Sequence, residues 1–416
     1  MKVFKFGGAS IKNSYAILNM VKIIKCYKND PLVIVVSAIG KSTNLLEELL
    51  NLSLKNESLQ TQLDYFKNYH IEIINELSSK EPLAIKVNKW FERLEELLTS
   101  NSKTVYSEYY DSVVSIGELI SSTIINYFLN ENGINSIWAD ARQLIKTDNT
   151  FQEGKIDWSS TEENIHKYIN DKNGVVFLTQ GFIGSSTENK TTTLGREGSD
   201  FTAAIFASSL NAKSVTIWKD VPGILNADPK IINDAVLFKE LPYQEASEMT
   251  FYGAKVIHPK TIKPLANKQI PLHVRCFETP ELEGTIIHDC VLTSMPPVII
   301  YKENQCLVSF KTKDFSFVNE KGLSIIFDAL HQLDMPIHIM QNSAISFSAC
   351  IDYNSQKMEK LMEVLKAEFT ILYNNGLQLV TIKNYTQESL EKYKPKVEHL
   401  LEQVSRNNYR VLIHAN

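Results

Sequence analysis

Charged and hydrophobic residues alternate at the start of the chain. Residues 2–6 read Lys-Val-Phe-Lys-Phe, a pattern that predicts an edge or half-buried β-strand. Gly7 and Gly8 follow directly, in a chain that holds only 16 glycines. Ser10 is then expected to cap a helix. The apolar face predicted for that helix consists of residues at helical spacing, namely Ile11, Tyr15, Leu18, Val21 and Ile24.

The order of strand, Gly-Gly turn and helix start is suited to binding an anion. Backbone N–H groups are accessible there because glycine has no side chain where a phosphate must approach. Lys5 adds an ammonium group close to the turn. Taken alone, a Gly-Gly turn is equally consistent with a simple tight connection.

Hydrophobic patterns further along the chain predict an α/β sheet. Residues 32–36, Leu-Val-Ile-Val-Val, form a wholly apolar run typical of a buried parallel strand, and residues 44–132 read as a helical insertion. Strand-like runs return at 136–139, 175–179, 215–218 and 272–274. Because strands alternate with helices, ligands are expected at the carboxyl ends of the strands.

Past the Met295-Pro296-Pro297 segment the pattern changes, which predicts a catalytic domain over 1–293 and a separate region over 297–416. The pattern of this region predicts one βαββαβ unit over about 303–374, with a helix at 355–369 and a strand at 370–373. A second, shorter βαβ unit covers 375–416, with a strand at 377–382, a helix continuing to about 404 and a last strand at 409–414. The second unit is incomplete unless its missing strands come from elsewhere in the chain.

Composition narrows the class of protein. Apolar residues make up 44% and charged residues 22% of the chain, and the net charge of −5 argues against nucleic acid as a partner. The five cysteines have no C-x-x-C spacing, which favours a reducing cytoplasm and argues against a disulfide framework or a zinc site. With no long apolar run at the N-terminus, we expect a cytoplasmic protein without a membrane partner.

The segment 191–200, Thr-Thr-Thr-Leu-Gly-Arg-Glu-Gly-Ser-Asp, carries the most specific chemical signal. Arg196 stands between two glycines, where its guanidinium is free to bind a carboxylate in a bidentate manner. Asp200 opens a predicted helix, so the alternative is a capping loop with Asp200 as the cap.

Other charged residues lie beside predicted strand ends and turns. Lys219 and Asp220 follow a strand and precede a Pro-Gly turn, an arrangement that suits the rim of a nucleotide site or only a turn. Lys255 follows a glycine, and His258 before Pro259 is interpreted as a structural histidine. Glu118 lies on an apolar helix, either at a solvated edge or as a partner for a substrate ammonium.

Together these residues fit phosphoryl transfer, in which catalysis is mostly positioning and charge neutralisation. The sequence contains no G-x-x-x-x-G-K-[ST] loop, no G-x-G-x-x-G motif and no protein-kinase signature.

The combination of motifs closely resembles the aspartate kinase family. The resemblance rests on Lys5-Phe6-Gly7-Gly8-Ala9-Ser10, Val36-Ser37-Ala38, Thr43-Asn44, Gly181-Phe182-Ile183-Gly184, Gly195 to Asp200 and Gly253-Ala254-Lys255-Val256. It implies the amino-acid-kinase fold, a three-layer αβα sandwich around a mainly parallel sheet. It also implies that ATP, Mg²⁺ and L-aspartate give ADP and 4-phospho-L-aspartate, the first step toward lysine, threonine and methionine.

The resemblance also assigns roles to individual residues. Lys5 would neutralise the transferring phosphoryl group and Asp200 would orient Lys5, while Arg196 would bind a substrate carboxylate and Glu118 the α-ammonium. The remaining substrate contacts implied are Ser37, Thr43, Phe182 and Ser199. The implied phosphate and ATP contacts are Gly7, Gly8, Ser10, Lys219, Asp220, Leu225, Lys230 and Lys255. Mg²⁺ would be held mainly by ATP phosphates and water, without a protein metal site.

Three positions depart from the family's usual pattern. Ala9 replaces a common threonine, Lys219 another threonine and Leu225 a tyrosine, which affects the expected details of base and ribose binding.

The C-terminal residues resemble paired ACT domains, α+β modules that bind amino acids, and they imply a homodimer with lysine or threonine as effector. Lysine-sensing relatives tend to carry an acidic residue in the strand after the first ACT helix, where this chain has His338. The alternatives are a kinase for glutamate, acetylglutamate, carbamate or UMP, and a catalytically silent amino-acid-binding regulator. From the length and the missing C-terminal dinucleotide fingerprint, we do not expect a bifunctional kinase–homoserine dehydrogenase.

Overall fold

The structure, a computed structural model of the chain, describes residues 1–27, 30–77, 81–100, 105–169, 175–254, 257–313 and 316–415. The chain divides into two compact units. The first comprises Met1–Ile224, Leu237–Ser247 and Val256–Val291. The second comprises Leu225–Val236, Glu248–Lys255 and Leu292–Asn416, so two short internal segments group with the C-terminal region.

Up to residue 291 the helices and strands follow one another in this order: β1 (Lys2–Phe6), α1 (Ser14–Lys25), β2 (Leu32–Val36), α2 (Ser42–Lys55), α3 (Gln60–Leu77), α4 (Glu81–Thr99), α5 (Tyr106–Glu131), β3 (Ser136–Ala139), α6 (Ala141–Leu144), β4 (Lys146–Thr147), α7 (Trp158–Ile169), β5 (Val176–Gln180), β6 (Ile183–Ser186), β7 (Thr191–Thr193), α8 (Gly198–Ser209), β8 (Ser214–Lys219), β9 (Glu240–Pro242), α9 (Tyr243–Phe251), α10 (Pro259–Asn267), β10 (Leu272–Cys276) and β11 (Thr285–His288). The predicted α/β alternation and the helical segment 44–132 are confirmed.

The main sheet of the first unit has the strand order β3-β5-β2-β1-β8-β10-β11-β9. The strands from β3 to β10 are parallel, and β11 runs antiparallel to β10. Strand β1 pairs with β2 on one side and β8 on the other, and its residues 3–6 are buried, so the prediction of an edge or half-buried strand is wrong. The alternation of charged and apolar residues gave a wrong prediction because Lys5 is buried beside a carboxylate instead of facing solvent.

Helices cover both faces of this sheet. Every residue of β2 has no exposed surface, which requires packing on both sides because successive side chains point to opposite faces. Helix α8 packs against β1, β2 and β8, and helix α5 packs against β2, β3 and β5. The layered α/β arrangement agrees with the predicted fold class.

The first helix begins later than predicted. Residues Gly8–Ile11 form a 3₁₀ turn, and α1 starts at Ser14 with Asn13 as its cap. Tyr15 is 76% exposed and Leu18 42% exposed, so the predicted apolar face is partly wrong. The side chains that face the core are Ala16, Ile17, Met20, Val21, Ile23 and Ile24.

Helix α5 is long and apolar enough to cross a membrane by length and composition. It is nevertheless 78% buried within the protein across its most apolar window. Its apolar residues contact strands and neighbouring helices, as expected of a core helix. A small additional sheet with the order β4-β6-β7 lies among the elements that follow it.

Beyond residue 291 the second unit contains β12 (Val298–Thr312), α11 (Glu320–Gln332), β13 (Ile337–Asn342), β14 (Ser346–Asp352), α12 (Ser355–Leu365), β15 (Phe369–Lys383), α13 (Gln387–Tyr393), β16 (Leu401–Val404) and β17 (Asn408–His414). Their sheet has the order β13-β14-β12-β15-β17-β16 and is antiparallel. This α+β sheet agrees with the predicted ACT-type region.

Three predictions in this unit are corrected. The runs 370–373 and 377–382 belong to one strand, β15, because β12 pairs with both of them, with two register shifts between residues 302 and 307 of β12. Residues 401–404 are a strand and not a helix end. Residues 298–302 of β12 pair with 379–383 of β15, so a missing strand of the short unit comes from earlier in the chain.

Candidate active site

The loops after β1 and β2 meet closely at the carboxyl edge of the sheet. The Ser37 N–H donates to Phe6 O at 3.2 Å, and the Gly40 N–H donates to Gly8 O at 3.1 Å. A Cβ atom on Gly8 would lie 2.6 Å from Gly40 O and 2.9 Å from Ala38 O, both backbone atoms. Gly8 is therefore required by a close approach of two backbone segments.

Lys5 and Asp200 form a buried ion pair beside this loop. Lys5 Nζ lies 2.6 Å from Asp200 Oδ1, and Lys219 Nζ lies 3.7 Å from Asp200 Oδ2. The side chains of Lys5 and Asp200 are 11% and 4% exposed. Burial acts to raise the pKa of Asp200, but the charges of Lys5 and Lys219 outweigh it and hold the pKa below its ordinary value. The two lysines thus remain gathered around one ionised carboxylate.

Asp200 reaches this position from the first turn of α8. The residue that precedes α8 is Glu197, in a left-handed conformation with φ of 53°, so the alternative interpretation of Asp200 as the helix cap is wrong. A Cβ on Gly181 would lie 2.5 Å from Ser199 Cβ, which shows how closely the loop after β5 packs on this turn. Ser199 is buried at the same place.

Ser10 does not cap a helix. Its hydroxyl donates to Trp218 O at 3.0 Å, which ties the 3₁₀ turn after β1 to strand β8. Phe6 stacks on the Trp218 ring with centroids 5.9 Å apart. Ser10 therefore contributes to the shape of the glycine turn through a backbone contact.

Glu118 is a buried carboxylate on α5. One oxygen, Oε1, accepts from the Ala38 N–H at 3.3 Å, and the other, Oε2, is buried without a hydrogen-bond partner among the described residues. Burial raises the pKa of Glu118 to about 8, although hydrogen bonds from backbone N–H groups act to lower it. Of the two interpretations of Glu118, a position at a solvated edge of the helix is therefore excluded.

The other predicted substrate contacts lie on neighbouring loops. Ser37 follows β2, and its carbonyl accepts from the Ser121 hydroxyl at 2.6 Å. Thr43 is half-buried in the first turn of α2. Phe182 has φ of 71° and donates its N–H to Thr202 Oγ1 at 3.0 Å. A Cβ on Gly198 would contact the Phe182 ring at 2.7 Å, so the ring lies against the start of α8.

Arg196 is exposed on the turn between β7 and α8. Gly195 before it has φ of 70°, which favours glycine. The His258 N–H donates to Glu197 Oε2 at 2.9 Å, and Lys260 Nζ donates to Leu194 O at 2.7 Å. The backbone of this turn is held on both sides of the arginine, and the Arg196 side chain is exposed to solvent.

Asp111 contributes to the candidate active site, and the sequence patterns did not identify it. Its carboxylate accepts from the Thr193 N–H at 2.8 Å, from the Thr193 hydroxyl at 2.7 Å and from the Gln152 N–H at 2.9 Å. The only sequence signal is an acidic residue in an apolar helix, two turns before Glu118. Asp111 and Glu118 of α5 thus accept hydrogen bonds from different segments of the first unit, Asp111 from Gln152 and Thr193 and Glu118 from Ala38.

The predicted nucleotide residues are distributed unevenly. Lys219 ends β8 beside Asp200, and Asp220 next to it is exposed. Leu225 and Lys230 belong to the segment 225–236, which groups with the second unit. Lys255 lies outside the described residues. His258 caps α10 by accepting from the Lys260 N–H at 3.3 Å, which agrees with a structural histidine.

Comparison with known proteins identifies the family. The sequence profile of the amino acid kinase family matches residues 1–276. The chain is also 30% identical over 392 residues to lysine-sensitive aspartokinase 3 of Escherichia coli strain K12, covering 91% of this chain and 86% of that protein. The chain belongs to the amino acid kinase family, among its aspartokinases.

Solved structures give the same relationship. This amino acid kinase matches the crystal structure of E. coli aspartokinase III with aspartate and ADP, described as the R-state, with a TM-score of 0.86 and 26% identity over 100% of this chain and 96% of that chain. The same enzyme with lysine and aspartate, described as the T-state, matches with a TM-score of 0.80, 26% identity and the same coverage. The chain also spans 42% of bifunctional aspartokinase/homoserine dehydrogenase 2 of Arabidopsis thaliana, with 28% identity over 383 residues covering 88% of this chain.

Proposed function

We propose that this amino acid kinase is an aspartate kinase that phosphorylates the side-chain carboxylate of L-aspartate with ATP. The observation that carries the proposal is the Lys5–Asp200 ion pair with Lys219 alongside, next to the glycine turn after β1. The E. coli relative is named an aspartokinase, and its structure holds aspartate and ADP. Both support this reaction over phosphorylation of glutamate, acetylglutamate, carbamate or UMP.

The reaction joins two anions, so positive charge is the main requirement. A carboxylate oxygen of aspartate attacks the γ-phosphorus, the bond to the β–γ bridging oxygen breaks, and ADP leaves with 4-phospho-L-aspartate as product. Lys5 and Lys219 would neutralise the phosphoryl oxygens, and Asp200 would orient both ammonium groups. Gly7, Gly8 and Ser10 would shape the turn around the phosphates.

Glu118 would bind the α-ammonium of aspartate. Its Oε2 atom is buried without a partner among the described residues, and an ammonium donor would supply the missing hydrogen bond. Arg196 would bind a substrate carboxylate in a bidentate manner from its turn. Ser37, Thr43, Phe182 and Ser199 would complete the aspartate site.

Asp220, Leu225, Lys230 and Lys255 are proposed to contact ATP because of the family resemblance. Mg²⁺ would be held mainly by phosphate oxygens and water. Asp200 is already paired with Lys5 and Lys219, which leaves it poorly suited to bind a metal directly.

The second unit is proposed to regulate the first. Its antiparallel ACT-type sheet supports an amino-acid effector, and the E. coli relative is named lysine-sensitive. We propose residues 1–293 as the catalytic domain, residues 297–416 as the regulatory region, a homodimer through the ACT modules, and lysine as the first effector to test. The enzyme would then supply the pathway to lysine, threonine and methionine.

Aspartyl hydroxamate formation tests the proposal. The purified chain is incubated with ATP, Mg²⁺ and hydroxylamine, with aspartate, with glutamate and without acceptor. Product with aspartate alone is expected. Product with glutamate alone would assign another acceptor, and no product from folded protein would favour a silent regulator. Titration of the active enzyme with lysine, and in parallel with threonine, then tests regulation. Activity that stays constant to millimolar lysine would exclude lysine as effector.

A further inference from the structure

Glu240, His288 and Cys290 bring together donor atoms of the three types that bind transition metals. The carboxylate oxygen, the imidazole nitrogen and the thiol sulfur all lie within 4.8 Å of one another. Glu240 Oε2 and His288 Nε2 are 3.1 Å apart. Cys290 and His288 are half-buried and Glu240 is exposed, so an ion in solution has access to all three.

Strand register produces this cluster. Strand β9 pairs parallel to β11 at the edge of the main sheet, with Glu240 opposite Ile286. His288 lies two residues after Ile286, so its side chain projects from the same face as that of Glu240. Cys290 follows His288 by two residues, just beyond the end of β11. Two segments of backbone, β9 and β11 with the residues that follow it, thus converge on one exposed corner.

The corner is distinct from the phosphoryl-transfer site. Lys5 and Lys219 lie toward the carboxyl ends of β1 and β8. Strand β11 runs antiparallel to β10, with Ile287 opposite Leu272, the first residue of β10. His288 therefore lies near the amino ends of the parallel strands, at the opposite edge of the sheet.

We propose that Glu240, His288 and Cys290 bind a transition-metal ion of the Zn²⁺ type. Sulfur and nitrogen ligands favour Zn²⁺ and disfavour Mg²⁺, which prefers oxygen. A tetrahedral ion with these ligands would need donor separations of roughly 3.5 Å, so small side-chain rotations suffice. Water would complete the fourth position. The bound ion would join edge strand β9 to β11 and to the segment after it.

This assignment differs from the expectation that the cysteines form no zinc site. Glu240 lies 48 residues before His288, and the pair His288-x-Cys290 alone is too short a signal to indicate a metal. Only the pairing of β9 with β11 places the carboxylate beside the imidazole.

Cobalt(II) titration of the full-length, metal-free, reduced protein tests the site. Thiolate binding to Co²⁺ produces a charge-transfer absorption in the near ultraviolet, and Zn²⁺ is then added to displace Co²⁺. One Co²⁺ per chain is expected, with displacement by equimolar Zn²⁺ and none by millimolar Mg²⁺. Cys290→Ser should abolish the absorption, and His288→Ala and Glu240→Gln should weaken binding by tenfold or more.

Cys26→Ser is the matched control. Cys26 is exposed and its thiol donates to Lys22 O, outside the cluster, so this variant should titrate like the wild type. Zn²⁺ should raise the melting temperature of the wild type by about 2–4 °C and leave Cys290→Ser unchanged. Absence of the absorption in the wild type, or its persistence in Cys290→Ser, would overturn the proposal.

Discussion

The Asp111 carboxylate accepts hydrogen bonds from both the backbone N–H and the hydroxyl of Thr193, at 2.8 and 2.7 Å. This contact ties core helix α5 to the strand that leads into the Arg196 turn. The same helix carries Glu118 seven residues later. Helix α5 therefore positions groups on both sides of the proposed aspartate site, one directly and one through Thr193.

Asp111→Asn is expected to raise the KM for aspartate by about tenfold, because an amide cannot accept all three hydrogen bonds and the Arg196 turn loses its anchor. The KM for ATP should change little. Steady-state kinetics with each substrate varied separately measures this difference. Ser112→Ala is the control, since the Ser112 hydroxyl donates to Glu108 O on its own helix. Equal effects on both substrates would contradict the positioning role.

The rate with limiting aspartate should fall as the pH decreases below about 8. Burial raises the pKa of Glu118 to about 8 in the free enzyme, and only the ionised carboxylate can pair with an ammonium. Well below that pH, kcat/KM for aspartate should fall about tenfold per pH unit. Initial rates across pH measure the profile.

Glu118→Gln should remove this pH dependence and raise the KM for aspartate roughly 10- to 100-fold. Glu108→Gln, near the amino end of the same helix, should keep the wild-type profile. A wild-type profile that is flat from pH 8 to 6 would refute the assigned role of Glu118.

Lys5→Met should reduce kcat on the order of 10²–10³-fold, since the ammonium beside the transferring phosphoryl group is lost. Folding should persist because Lys219 still lies 3.7 Å from Asp200. Hydroxamate formation and a thermal melt are measured on the same sample. Lys12→Met, at an exposed position in the same segment, should be nearly as active as the wild type. Substantial turnover by a folded Lys5→Met protein would exclude Lys5 from the chemistry.

Gly8→Ala should impair activity far more than its small size suggests. The added Cβ would lie 2.6 Å from Gly40 O, so the loops after β1 and β2 must move apart. We expect at least a tenfold loss of kcat/KM for ATP. Gly322→Ala is the matched control, because the nearest atom to its Cβ would be 3.6 Å away. Nucleotide kinetics of the two variants provide the comparison, and equal values would show that the close approach is unimportant.

Stability should decrease in acid because of His70. Burial lowers the pKa of His70 from 6.5 to about 4, although a hydrogen bond to Phe66 O acts to raise it. The folded state thus favours the neutral ring, so its contribution is complete above pH 6.5 and is lost as the pH falls toward 4, up to roughly 3 kcal/mol.

Urea midpoints at pH 7.5, 6 and 4.5 measure this loss. His70→Gln should lower the midpoint at pH 7.5 and flatten its decrease in acid. His166→Gln, on the more exposed side of α7, should retain the wild-type decrease. A midpoint that changes equally with pH in all three proteins would assign the acid sensitivity elsewhere.

Sequence patterns predicted the secondary structure correctly where the pattern of hydrophobic residues within one segment was sufficient. The apolar run 32–36 is a fully buried strand, and the helical segment 44–132 is helical as predicted. Predictions from the pattern of one segment were wrong where a residue distant in the sequence changes the structure of that segment. The charge of Lys5 favours an edge or half-buried strand, but the ion pair between Lys5 and Asp200 allows β1 to be central and buried. The sequence pattern predicts a helix end at residues 401–404, whereas pairing with β17 makes these residues a strand.

Sequence patterns alone are sufficient to predict the α/β order of the first unit, the ACT-like character of the second and the types of residue available for phosphoryl transfer. These depend on periodicity and on motifs within a few residues. The folded chain brings Asp200 to Lys5 and Lys219, buries Glu118 with one oxygen that has no hydrogen-bond partner among the described residues, and lets Asp111 support the Arg196 turn. Each of these relationships joins residues far apart in the chain, and its energy depends on burial and distance, which arise only when the chain folds.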